Sequence, residues 1–117
     1  MESLAGRNSG QWASYDPTNS HETIIGKKEQ YNAFRYSAVN LSNDNTVEVR
    51  IFRGSIAPAH VFGAIELVSA VRDYARSLTY GDVQSGALAW RHFNAYAHDC
   101  RESYPALVER IDERVCA

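Results

Sequence analysis

Apolar and polar positions alternate most sharply over TVEVRIFRG, residues 46–54, where Val47, Val49 and Ile51 fall on one face and Glu48 and Arg50 on the other. A period of two is the signature of a strand that buries one side. The preceding run FRYSAVNL has the same texture, and the SNDN between them is rich in turn-forming Asn and Asp, so residues 34–53 predict an antiparallel β-hairpin. With Leu41 opposite Thr46 across a four-residue loop, Val39 faces Glu48, Ser37 faces Arg50 and Arg35 faces Phe52. One face then carries Arg35, Ser37, Glu48 and Arg50, and the other Tyr36, Ala38, Val47, Val49 and Ile51. A slip of one residue would not separate Glu48 from Arg50, which share a strand.

After Gly54 the period lengthens to that of a helix. Pro58 suits a first helical turn, and Val61, Ile65, Val68, Val71 or Arg72, and Ala75 recur at steps of three and four, predicting a helix over about 58–77 packed on the sheet. TYGDVQSG, with Gly81 and Gly86, reads as a loop. Leu88, Trp90, Phe93 and Ala97 predict a second helix over about 86–99. Pro105 followed by Leu107, Val108, Ile111 and Val115 predicts a third over about 104–115. Residues 1–33 show no sustained period and read as an irregular arm, with Trp12 and Tyr15 as anchors. The expected architecture is α+β, an arm over 1–33 and a domain over 34–117 in which a hairpin or small antiparallel sheet packs against about three helices.

At 117 residues the chain suits one domain. A formal net charge of −2 supplies no basic field for nucleic acid. No long apolar run implies a membrane span, and Cys100 and Cys116 without a CxxC pair point to free thiols in a reducing, cytoplasmic setting. The cations are lopsided, ten Arg against Lys27 and Lys28, and guanidinium groups bind carboxylate or phosphate in a forked manner. His21, His60, His92 and His98 have no zinc-site spacing, and His98 beside Cys100 does not make a catalytic pair on a helix. Trp90, Phe93 and Tyr96 read as helix packing, and seven Tyr beside the arginines are residue types that anchor protein interfaces.

The run RYSAVNL, a short turn, then TVEVRIFRGSI and an apolar helix resembles the C-terminal part of the phage-type amidoligase family, carboxylate-amine ligases with a glutamine synthetase-like fold. It rests on Arg35, Tyr36, Asn40 and Leu41, on Glu48, Arg50 and Arg53, and on Gly54 at the turn into the helix, and extends over roughly residues 7–114. The resemblance implies a partial glutamine synthetase-like half-domain in which Glu48 ligates a divalent metal, Arg50 holds the substrate carboxylate or acyl phosphate, and Arg35 contacts nucleotide phosphate. Those residue types suit the roles, carboxylate oxygen for Mg²⁺ and forked donors for anions. Family members carry a further N-terminal half with more carboxylates. Within this chain Glu22, Glu29 and Glu66 are the candidates for that role.

Two functions follow. The first is a non-catalytic phage or mobile-element accessory protein that needs no cofactor and binds a protein target, as an inhibitor of a bacterial defence system such as CRISPR-Cas would. The second is an ATP- and Mg²⁺-dependent ligase fragment or subunit completed by another chain. A two-stranded hairpin is marginal alone, so a homodimer that completes the sheet fits either.

Overall fold

The computed structural model describes Leu4, residues 38–40 and residues 45–115. The chain divides into two compact units, Met1–Arg53 and Gly54–Ala117. The described residues are predominantly helical, with one short antiparallel pair of strands.

In the first unit, β1 (Val39–Asn40) pairs antiparallel with β2 (Glu48–Val49), with Val39 opposite Val49 and Asn40 opposite Glu48. The ladder continues at one side through the Arg50 N–H, which donates to the Ala38 carbonyl at 2.8 Å. The expected direction of pairing is present, but its register differs by one residue from that expected. The observed register sets valine against valine, whereas a four-residue loop would set Val39 against the charged Glu48, and cross-strand apolar pairs are the more favourable. Ala38 and Ile51 are buried, with Val49 and Phe52 packed against them. The rest of the expected hairpin's first strand, including Arg35 and Tyr36, lies outside the described residues, as do Trp12 and Tyr15.

The second unit holds α1 (Pro58–Ser77), α2 (Tyr80–Gln84), α3 (Trp90–Asp99) and α4 (Pro105–Val115). Pro58 begins α1, where its missing N–H is no loss. α2 occupies what reads as a loop. Thr79 and Asp82 form a capping box, the Asp82 N–H donating to Thr79 Oγ1 at 3.3 Å and the Thr79 N–H to Asp82 Oδ2 at 2.8 Å. The turn closes with Gly86 at φ +91°, while the Ala87 N–H donates to the Asp82 carbonyl and the Gly86 N–H to that of Val83. This is a Schellman ending, and its left-handed residue favours glycine. α3 consequently starts at Trp90, later than the apolar spacing implies.

The core of this unit joins Leu67 and Ala70 of α1, Phe93 and Ala97 of α3, and Leu107, Val108 and Ile111 of α4. α1 buries Gly63, Leu67 and Ala70, and crosses α4 at Gly63. A Cβ at Gly63 would lie 3.3 Å from Arg110 Cδ and 3.4 Å from the Ala106 carbonyl oxygen, so the lack of a side chain permits the close crossing. The apolar stripe expected to be the buried face is turned elsewhere: Val61, Ile65 and Val68 are exposed.

Candidate functional site

β2 and the extended residue after it position the two predicted polar residues of the first unit. Residues two apart on a strand share a face, and Arg50 Nη2 donates to Glu48 Oε2 at 2.7 Å. The Arg50 side chain is 24% exposed and that of Glu48 45%, so the guanidinium is the more sheltered partner. The pair neutralises itself. Glu48 could ligate a cation through this oxygen only by competing with Arg50.

Arg35, assigned by the resemblance to nucleotide phosphate, lies outside the described residues, as do Glu22 and Glu29. Glu66 has a different employment: its Oε2 accepts the Leu107 N–H at 2.8 Å, capping the first turn of α4 from α1. Arg53 is exposed. Among the described residues no group of three or more His, Cys, Asp or Glu side chains is placed to hold a metal ion.

The second unit presents a different kind of surface. Along α1, Val61, Phe62, Ile65 and Val68 are exposed by 41, 58, 58 and 39%. Val61, Ile65 and Val68, at steps of four and three, with Phe62 one turn before Ile65, lie along one side of the helix, away from the buried Gly63, Leu67 and Ala70. Exposed apolar groups gathered on one face, unlike scattered single ones, mark interaction surfaces.

Behind that surface the helices are tied by polar contacts which the sequence did not disclose. The buried Tyr104 donates its hydroxyl to Asp73 Oδ2 at 2.8 Å, and Arg72 donates to Asp73 Oδ1 at 2.8 Å. The Tyr104 hydroxyl, followed by Arg72, holds the Asp73 carboxyl below its ordinary value, while the same bond with Asp73, with burial, pushes the Tyr104 phenol far up. Tyr74 packs edge-on against Phe93 at 5.7 Å and against Tyr96 at 5.0 Å between ring centroids, which makes the predicted aromatic group part of the α1–α3 contact. Cys100 is a half-buried free thiol, and Cys116 lies outside the described residues. No described helix is long and apolar enough to cross a membrane.

In comparisons with known proteins, no family model, curated protein or solved structure matches the chain.

Proposed function

We propose that the chain acts by binding a protein partner through the outward face of α1. The observation that carries this reading is the exposure of Val61, Phe62, Ile65 and Val68 along a single helix whose opposite side already makes the contact with α4. A helix needs only one apolar face to join its own core, so the second is available for recognition, where an apolar helical face docks against a complementary groove or helix. The phage and mobile-element setting implied by the resemblance makes the partner a host protein, with a defence complex such as CRISPR-Cas as the target to test. No cofactor takes part. The test is phage plating on a CRISPR-immune host that expresses the chain. The wild type restores plating, and Ile65→Asp with Val68→Asp abolishes the effect while leaving the circular dichroism spectrum unchanged. Failure of the wild type to restore plating rejects this target; equal activity of the double variant rejects the surface.

A second reading is favoured by the pairing of Glu48, on β2, with Arg50 just after it. On that reading the paired strands belong to a small antiparallel sheet in a partial glutamine synthetase-like half-domain. A second copy or another chain completes a ligase site that uses ATP and Mg²⁺, with Glu48 on metal, Arg50 on substrate and Arg35 on phosphate. Calorimetric titration with ATP and Mg²⁺ separates the two readings: saturable binding lost in Glu48→Gln supports the ligase, and its absence in the folded wild type counts against it.

A further inference from the structure

His98, near the end of α3, is placed between two acceptors. Its Nδ1 lies 2.8 Å from the Asn94 carbonyl oxygen one turn earlier, and its Nε2 lies 2.9 Å from Asp112 Oδ1 on α4. A backbone carbonyl and a carboxylate only accept hydrogen bonds, and a neutral imidazole carries a single N–H. Both contacts can be hydrogen bonds at once only when both ring nitrogens are protonated.

We propose that His98 is a proton-dependent clasp between α3 and α4, closed on Asp112 and the Asn94 carbonyl as the imidazolium and half-released when the ring loses a proton. On another side α4 is tied to α1 by Glu66, and Tyr104, just before α4, is tied to α1 by Asp73. From α4, Asp112 faces the ring, with Glu109 and Glu113 beside it on a shallow depression of about 490 Å³ that Arg101 also lines. From the turn after α3, Arg101 opposes the positive charge. From α1, Tyr74 packs against Phe93 and Tyr96 of α3. The acceptors prevail: the Asn94 carbonyl first, then Asp112, raise the imidazole above its ordinary value of 6.5.

The sign follows from linkage. A histidine raised on folding contributes its full stabilisation below the unfolded value of 6.5 and loses it as pH rises through the folded value. Each unit of elevation is worth about a tenfold change in the folding equilibrium constant. Loss of the proton removes the positive charge beside Asp112, so the depression becomes more acidic as the clasp opens.

The test is an NMR titration of the His98 ring in the full chain, together with denaturant unfolding from about pH 5.5 to about pH 8.5, a window that spans ordinary histidine titration. The expected midpoint lies above 6.5 and falls in Asp112→Asn, whose amide can offer oxygen to a protonated Nε2 or nitrogen to a bare one and so no longer prefers the charged ring. The stability difference between the wild type and His98→Gln shrinks as pH rises. A wild-type midpoint at or below the ordinary value overturns the clasp even if neither variant folds, and so does an unchanged difference across the window.

Discussion

Replacing Glu66 by Ala tests the contact that couples α1 to the start of α4. Pro105 has no N–H, and the Val108 N–H already donates to the Tyr104 carbonyl at 3.1 Å, so Ala106 and Leu107 carry the first-turn donors without an intrahelical acceptor. Glu66 accepts the second of these at 2.8 Å from 41 residues away in sequence. A hydrogen bond to a charged group contributes about 1.5–3 kcal/mol and a lost N-cap costs about 1 kcal/mol. Because the carboxylate is only partly buried, the expected loss is about 1–2 kcal/mol. In a domain of this size that lowers the melting temperature by about 4–15 °C. Circular dichroism melts and urea unfolding read the loss, and hydrogen exchange reads its location, with the Leu107 amide losing protection. Glu66→Gln keeps an acceptor at the same reach without the charge and is expected to lose roughly half as much. Glu109→Ala, on an exposed position of α4, should change stability by no more than about 0.5 kcal/mol. If Glu66→Ala matches Glu109→Ala, or the Leu107 amide keeps its protection, the capping account is wrong.

Leu107 is wholly buried, and Leu107→Ala should cost about 2–5 kcal/mol in urea unfolding. Gly63→Ala asks Arg110 and the Ala106 carbonyl to yield by a few tenths of an ångström and gains helix propensity, so it should change stability by less than about 1 kcal/mol; Gly63→Leu, which wedges the crossing open, should cost about 2 kcal/mol or more. Tyr104→Phe removes the strongest influence holding the Asp73 carboxyl down. A depressed carboxyl stabilises the fold above its unfolded value of 3.8 and loses that contribution as pH falls through the folded value, so the advantage of wild type over Tyr104→Phe should shrink on acidification below that value.

The starts of α1 and α4 were legible because Pro58 and Pro105 announce them, and the residues that fill the α3 and α4 cores, Phe93, Ala97, Leu107 and Ile111, followed from their spacing. α2 was readable in principle. Thr79-Tyr-Gly-Asp82 is a capping box, but its internal Gly81 reads as a breaker when weighed by propensity alone. The strand register failed by one residue since four polar residues invite a four-residue loop, while apolar pairing of Val39 with Val49 decides the register in the fold. Glu66 capping α4 and His98 meeting Asp112 join residues 41 and 14 apart, and no local period encodes such partners. For the candidate site, the common face of Glu48 and Arg50 was legible from alternation, but not their engagement with each other.

α1 shows why hydrophobic pattern alone misassigned its buried face. Large branched residues dominate such a pattern, so Val61, Ile65 and Val68 looked like the core, yet the buried side of α1 is Gly63, Leu67 and Ala70, and α4 crosses close over Gly63 because it has no side chain. The fold of the second unit therefore rests on the face of Gly63, Leu67 and Ala70, and the exposed face is dispensable to the contact with α4. That separation gives the binding reading its physical content. A charge at Ile65, already 58% exposed, leaves the α1–α4 contact intact, whereas a charge at Leu67, 2% exposed, would be buried without a partner and unfold the unit. Loss of partner binding with Ile65→Asp at unchanged stability thus reports on recognition itself, and any accompanying loss of stability would mean that the outward face belongs to the fold.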